Sequence, residues 1–119
     1  MNIPMVDEFT SAYFDASLWS STDVIDGEDV ALDSVDNELA AETIDTMVAD
    51  CKRFQAENEQ DVSDYGRPQA GHDFWLTRNG HGAGFWEEET EHAKRLDTAS
   101  KGFGEQTLYI GDDAQIYAA

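Results

Sequence analysis

The sequence has one cysteine, few basic residues and no long apolar run. The single cysteine, Cys51, excludes an internal disulfide and any zinc site built from several cysteines. Its position between Val48 and Phe54 on one helical face predicts a small buried side chain. No stretch approaches the roughly 18 consecutive apolar residues of a membrane-spanning helix. The first residues also lack the basic start and apolar run of a signal peptide. We therefore expect no membrane association and a cytoplasmic location.

Basic residues are scarce and unevenly placed. The chain contains 26 Asp and Glu against 7 Lys and Arg, which gives a formal net charge of −19. Residues 1–51 contain thirteen of the acids and no Lys or Arg, whereas residues 52–119 contain thirteen acids and all seven bases. Binding to phosphates requires clustered Lys and Arg, so we predict no direct binding of nucleic acid. The field of the cation-free part should instead attract basic partners.

The apolar content is sufficient for one core. Hydrophobic residues make up 40% of the 119 residues and aromatic residues 11%, which argues against global disorder. A chain of this length fits one domain, because a second core would be hard to accommodate. We therefore predict a single acidic domain spanning residues 1–119.

Apolar residues recur at helical spacing in several segments. This periodicity predicts helices over 5–19, 38–58 and 88–103. Asp36 or Asn37 is a possible cap for the second of these helices, and Thr43 allows a later start. Residues 66–79 fit either a strand or a helix, and the helix is favoured because Asn79 and Gly80 form a good helix end.

The remaining segments predict turns and short strands. Residues 22–36 are interpreted as an acidic loop with a turn at Asp26-Gly27, and Phe85-Trp86 as a short strand. Alternating residues in 107–110 and 115–117, with a turn between them, predict a C-terminal hairpin. This order of elements predicts an α+β domain, with N-terminal helices packed on a small antiparallel sheet that ends in the hairpin.

Three sequence runs resemble a known family. The runs are Ser17–Thr22 (SLWSST), Ala70–Trp86 (AGHDFWLTRNGHGAGFW) and Leu108–Asp113 (LYIGDD). They resemble small acidic proteins encoded by tailed bacteriophages and prophage-like regions. The resemblance implies a phage context and a compact domain, and it supplies no catalytic residues. The chain departs from the family pattern at Glu87–Glu89, which adds charge, and at Ala114, where the family has glycine.

The histidines offer one candidate metal set. His72, Asp73 and His81, with His92 nearby in the sequence, contain the side-chain types that zinc or iron prefers. Their spacing matches no established ligand motif such as H-E-x-x-H. Capping and packing roles are therefore favoured, and no metal site is predicted.

The same region contains a possible polar site. His72-Asp73 with Arg78-Asn79 could act as an acid–base pair or bind an anion. A structural account is favoured, in which Arg78 at the helix end pairs with Asp73 and Asn79 takes the left-handed conformation that ends a helix. His81 follows in the glycine-rich exit.

Two further patterns could mark binding sites but are also typical of ordinary turns. Gly80, Gly82 and Gly84 suggest a phosphate loop, but they follow a helix and do not open one, so a close backbone approach or a tight reversal is favoured. Asp112-Asp113 could hold Mg²⁺, but the Gly-Asp-Asp sequence is typical of a hairpin turn. We find no catalytic signature and predict no bound cofactor.

The charge pattern and the family resemblance together suggest a binding function. We expect a phage accessory protein whose acidic face docks on the basic surface of a host nucleic-acid-binding or defence protein, imitating DNA. The alternatives are a small metal protein or enzyme using His72, Asp73 and His81, and a structural or self-associating phage protein. The pattern does not fix the oligomeric state. The residues predicted for the acidic face are Asp7, Glu8, Asp23, Asp26, Glu28, Asp29, Asp33, Asp36, Glu38, Glu42 and Asp45.

Overall fold

The computed structural model of the protein describes residues 3–119, which form five α-helices and two antiparallel strand pairs. The helices are α1 (Glu8–Ser20), α2 (Ala41–Glu57), α3 (Glu59–Tyr65), α4 (Arg67–Arg78) and α5 (Glu91–Lys101). The strands are β1 (Thr22–Ile25), β2 (Glu28–Ala31), β3 (Leu108–Ile110) and β4 (Ile116–Ala118), and 3-10 helices span Leu32–Ser34 and Phe85–Glu87. The predicted α+β class is confirmed, but the strands form two separate two-stranded sheets and not one.

The core is centred on the crossing of α1 and α4, which is the most extensive contact between elements. The side chains of Phe9 and Tyr13 from α1 pack against Phe74 from α4 with tilted rings, whose centroids are 6.1 and 5.0 Å apart. The two backbones approach so closely that a Cβ on Gly71 would lie 1.9 Å from the carbonyl oxygen of Phe9. Glycine at this position therefore allows the crossing that organises the core.

Helix α2 has the predicted inward face but not the predicted start. Met47, Cys51 and Phe54 are fully buried, as the periodicity indicates. The helix begins at Ala41 after Ala40, so the capping role predicted for Asp36 or Asn37 is wrong. The reason is tertiary: the segment before α2 runs along β4, where the Ala40 N–H donates to the carbonyl of Ile116 at 3.0 Å.

Residues 66–79 form the helix that the sequence favours over a strand. Ala70, Phe74 and Arg78 all lie on its buried face. The predicted short strand at Phe85-Trp86 is wrong, because these residues form a 3-10 turn. The Phe85 N–H donates to Thr77 Oγ1 at 3.0 Å, which buries Phe85 and leaves Trp86 56% exposed.

The acidic loop predicted for residues 22–36 is instead mostly a hairpin formed by β1 and β2. Asp26 and Gly27, the predicted turn, both have positive φ angles of 53° and 81°. A two-residue turn of this kind matches the twist of the strands, and Asp-Gly is a strong sequence signal for it. The many acidic residues of this segment favour a loop prediction in spite of that signal. The C-terminal hairpin of β3 and β4 is confirmed.

Helix α5 packs beside α3 and α4 and completes the helical part of the fold. Its buried residues Ala93 and Leu96 follow the predicted inward face, and Ala99 and Phe103 pack against the same core. Residues 59–65, for which no separate element is predicted, form helix α3. None of the helices within residues 3–119 has both the length and the apolar character that crossing a membrane requires.

Candidate functional site

The two hairpins and the start of α2 gather acidic residues at one part of the fold. We define the acidic lobe as residues 21–45 together with 104–119. These two segments contain no Lys or Arg. The lobe carries twelve acids, which are Asp23, Asp26, Glu28, Asp29, Asp33, Asp36, Glu38, Glu42, Asp45, Glu105, Asp112 and Asp113.

Hydrogen bonds hold the two segments of the acidic lobe together. The Ile116 N–H donates to the carbonyl of Glu38 at 2.8 Å, and the hydroxyl of Thr43 donates to the carbonyl of Ile116 at 2.9 Å. The side-chain amide of Asn37 donates to the carbonyl of Ala114 at 2.7 Å. Because segments far apart in the chain are linked in this way, their carboxylates share one supporting framework.

Asp23 connects the N-terminal hairpin to the C-terminal one. Its carboxylate accepts the backbone N–H of Ile110 at 2.7 Å and that of Val24 at 2.7 Å. These hydrogen bonds, with the one from Ile110 contributing most, hold the pKa of the Asp23 carboxyl below its usual range. Asp23 is therefore charged at neutral pH and also joins the two hairpins.

The carboxylates of residues 3–49 have no basic partners within ion-pair distance among residues 3–119. Every ion pair formed within that range takes its carboxylate from Asp50 or from a later residue. The nine predicted face residues that lie in the lobe are exposed, except Asp23, which is half-buried. Their negative charge is therefore left facing solvent, where it can act on a partner.

Asp7 and Glu8 lie apart from most of the predicted face. Asp7 caps α1, accepting the backbone N–H of Thr10 at 2.8 Å. Burial alone would raise the pKa of the Asp7 carboxyl, but hydrogen bonds from Thr10 and Gln55 and the charge of Arg67 together hold the pKa below its usual range. An open groove of about 570 Å³ separates residues 4–7 from α2, and its lining includes Asp45 and Lys52. Lys52 therefore lies on the side of the molecule that holds Asp7 and Asp45, whereas the two segments of the acidic lobe themselves contain no Lys or Arg.

His72 and Asp73, the first part of the predicted polar site, are in direct contact. Asp73 is 3% exposed and accepts hydrogen bonds from His72 Nδ1 at 2.9 Å, Gln69 Nε2 at 3.0 Å and the hydroxyl of Tyr65. The pKa of Tyr65 is raised, mainly by burial and next by its hydrogen bond to Asp73. Trp19 stacks on His72, with ring centroids 5.7 Å apart. The cluster satisfies a buried carboxylate and ties the middle of α4 to α3 and α1.

Arg78 belongs to a different cluster and pairs with Asp50, not with Asp73 as predicted. Its Nη1 lies 2.9 Å from Asp50 Oδ2 and 2.9 Å from the hydroxyl of Tyr13. On a helix, side chains three or four residues apart are neighbours, and Asp73 and Arg78 are five apart. They therefore point to different sides of α4.

Asn79 and His81 lie beyond the end of α4. Asn79 has a φ of −100° and does not take the predicted left-handed conformation, which Gly80 adopts with a φ of 67°. Glycine enters that region without a Cβ penalty, and this leaves the Asn79 side chain free to bond Trp75 and Gln106. His81 is exposed and lines a small open cavity of about 240 Å³ with Asn79.

The structure does not assemble the candidate metal set. Within residues 3–119, no three His, Cys, Asp or Glu side chains come close enough to share a metal ion. Cys51 is fully buried, and burial is the main cause that raises the pKa of its thiol. A thiol held in this way is a poor nucleophile. Gly84 lies against Thr77, in agreement with the close backbone approach expected of the glycine-rich segment.

The structure adds functional candidates that were not predicted from the sequence. Asp112 and Asp113 belong to the acidic lobe, because their hairpin is joined to the segment before α2. The sequence carried a signal for this, since residues 102–119 contain no Lys or Arg. Tyr109 is 41% exposed on the same hairpin, and Tyr117 lies opposite it.

Comparison of the chain with protein-family models, with curated proteins and with solved structures finds no match. The charges and contacts of residues 3–119 are therefore the basis on which a function is assigned.

Proposed function

We propose that the protein is a phage-type accessory protein whose acidic lobe binds the basic, nucleic-acid-binding surface of a host protein. The partner class is that of restriction, CRISPR, transcription or replication proteins, and the lobe would occupy the surface that otherwise holds DNA. The observation that carries this proposal is the acidic lobe, which contains twelve carboxyl side chains and no Lys or Arg.

The charge arrangement supports binding to a protein that normally holds nucleic acid. Duplex DNA presents a negative charge about every 1.7 Å along its axis, so a competitor needs many carboxylates that its own cations do not neutralise. In residues 3–49 the carboxylates have no ion-pair partner, whereas those from Asp50 onward supply all the ion pairs of the described chain. The Lys and Arg side chains of the described chain therefore do not form ion pairs with the carboxylates of the acidic lobe.

The contacts of the acidic lobe favour a binding surface over a solvated tail. Its carboxylates sit on paired strands, a helix start and turns that backbone hydrogen bonds fix in place. A preorganised array binds with less loss of conformational entropy than a flexible acidic segment of equal charge. Electrostatic steering by such an array should speed association and should weaken as salt is added.

A charge-matched pair of variants tests the proposal. The lobe variant carries Asp26→Asn, Glu28→Gln, Asp29→Asn and Asp36→Asn. The control variant carries Glu87→Gln, Glu88→Gln, Glu89→Gln and Glu91→Gln, which remove the same charge outside the lobe. Each protein is immobilised and exposed to the bacterial proteins that elute from DNA-cellulose.

We expect the wild-type protein to retain a member of this DNA-binding fraction and to release it on addition of salt or duplex DNA. The control variant should retain the same protein, and the lobe variant should lose it. The proposal fails if nothing is retained, if the two variants bind equally well, or if neither salt nor duplex DNA releases the captured protein.

A further inference from the structure

The outward face of the C-terminal hairpin carries two stacked tyrosines. Tyr109 on β3 and Tyr117 on β4 are directly paired across the strands, with ring centroids 5.9 Å apart and ring planes at 26°. Their strand neighbours Leu108 and Ile116 point the other way and are buried in the core. Tyr109 remains 41% exposed, so part of this aromatic pair faces solvent.

Carboxylates stand beside these rings. An open cavity of about 520 Å³ is lined by Tyr109, Tyr117 and residues 110–113, and we call it the tyrosine cleft. Asp113 accepts the hydroxyl of Tyr117 at 2.5 Å and the N–H of Gln115 at 3.0 Å. These two bonds hold the pKa of the Asp113 carboxyl below its usual range. The cleft therefore combines an aromatic wall with a fixed negative charge, and the exposed Asp112 adds a second carboxylate.

The charge around the tyrosine cleft distinguishes it from the exposed aromatic site at Trp86. Trp86 is 56% exposed, but the cavity beside it of about 420 Å³ is lined by Lys94 as well as by Glu88 and Glu89. A cation of the protein itself is thus already present near Trp86. The tyrosine cleft lies in the acidic lobe, whose segments contain no Lys or Arg.

We propose that the tyrosine cleft binds the guanidinium of an arginine side chain from a basic protein partner. This inference rests on the proposed function and names the contact that gives it chemical selectivity. A planar guanidinium can stack on a tyrosine ring while its N–H groups donate to Asp112 or Asp113. A lysine ammonium is a compact, strongly hydrated charge that gains less from the ring. The cleft therefore prefers arginine to lysine, whereas the rest of the acidic lobe responds to charge alone.

Two peptides of equal charge separate the contribution of the tyrosine cleft from that of charge alone. Penta-arginine and penta-lysine are titrated into the full chain at low salt, with affinity measured by calorimetry and binding sites by backbone amide shifts. We expect penta-arginine to bind about threefold to tenfold more tightly, in line with the strength of a partly exposed cation–π contact. The amides of Gly111 and Gln115 should shift more with penta-arginine than with penta-lysine.

Variants of the exposed aromatic residues locate the preference. Tyr109→Ala should reduce the affinity for penta-arginine to that for penta-lysine, and Tyr109→Phe should keep the preference because the ring face remains. Trp86→Ala is the matched control and should change neither affinity. Circular dichroism checks that each variant is folded, and the amide shifts of the wild-type chain decide the matter if Tyr109→Ala unfolds.

The possible outcomes distinguish this inference from the proposed function. Equal affinities for the two peptides, or amide shifts absent from the tyrosine cleft, overturn the arginine site while salt-sensitive binding to the acidic lobe still stands. If no protein of the DNA-binding fraction binds the acidic lobe but penta-arginine still binds the tyrosine cleft more tightly than penta-lysine, the proposed function fails and the arginine site stands.

Discussion

The guanidinium of Arg78 and the carboxylate of Asp50 lie 2.9 Å apart and join the end of α4 to α2. The Arg78 side chain is only 4% exposed, and it also donates to the hydroxyl of Tyr13 and to the carbonyls of Phe103 and Gly104. One cation on α4 thus satisfies acceptors from α1, from α2 and from the segment after α5. In a chain with so few bases, this one is used inside the fold.

We predict that Arg78→Leu lowers the free energy of unfolding by about 3–5 kcal/mol. Removing one partner of a buried ion pair leaves the remaining acceptors without a donor. Asp50→Asn should cost about 1 kcal/mol, because Asp50 is 23% exposed and the amide oxygen still accepts a hydrogen bond. Urea unfolding followed by tryptophan fluorescence measures both variants. A loss below about 1 kcal/mol for Arg78→Leu would show that the cluster does not stabilise the fold.

Gly71→Ala provides a test in which two physical effects have opposite signs. Helix propensity alone predicts a gain of up to about 1 kcal/mol in the middle of α4. The Cβ, however, would lie 1.9 Å from the carbonyl oxygen of Phe9, a backbone atom that cannot move without shifting α1. We therefore expect a loss of at least about 2 kcal/mol on urea unfolding.

Gly82→Ala is the control for this substitution. A Cβ at Gly82 meets nothing within 4 Å, and its φ is not in the left-handed region. This variant should remain within about 0.5 kcal/mol of the wild type. If Gly71→Ala is as stable as Gly82→Ala, then α1 and α4 do not cross as closely as the structure has them.

Asp73→Asn tests whether the His72 cluster is structural. The carboxylate accepts three side-chain donors, and an amide offers one oxygen and presents its own N–H groups to the others. We expect a loss of about 1–3 kcal/mol in the free energy of unfolding. Asp15→Asn, on the exposed face of α1, is the control and should be nearly neutral. Equal effects of the two substitutions would argue against a stabilising role for Asp73.

The helices could be predicted from the sequence because their signal is local. The spacing of Met47, Cys51 and Phe54 already defines the buried face of α2, and the order of acids and bases in α5 agrees with its dipole. The start of α2 could not be predicted, since it depends on pairing between Leu39 and Ile116, 77 residues later in the chain. Such a long-range contact outweighs the local preference for a capping residue.

The candidate site was predictable in charge but not in arrangement. The absence of Lys and Arg from residues 1–51 indicates an acidic surface, yet nothing in the sequence places Asp112 and Asp113 beside residues 37–38. That placement depends on long-range hydrogen bonds. The separation of Asp73 from Arg78 could be predicted, because an interval of five residues along a helix turns side chains apart.

The lowered pKa of Asp23 predicts how the stability of the fold depends on pH. Its pKa is lowered in the folded chain by the N–H groups of Ile110 and Val24, so its contribution to stability is present above the unfolded pKa of about 3.9. That contribution is lost as the pH falls through the lower folded value. The net charge of −19 opposes folding through self-repulsion, and this second effect is not specific to Asp23.

Comparison of Asp23→Asn with Asp29→Asn isolates the first effect, since both substitutions remove one charge from the same hairpin. At pH 7 we expect Asp23→Asn to be the less stable variant, because an amide oxygen accepts the two N–H groups more weakly than a carboxylate does. The difference between the two variants should stay constant down to about pH 5 and shrink as the pH falls from the unfolded pKa of about 3.9 through the lower folded value. Urea unfolding across this range measures it. A difference that stays the same down to about pH 2, or an Asp23→Asn variant that is the more stable at pH 7, would mean that Asp23 does not hold the two hairpins together.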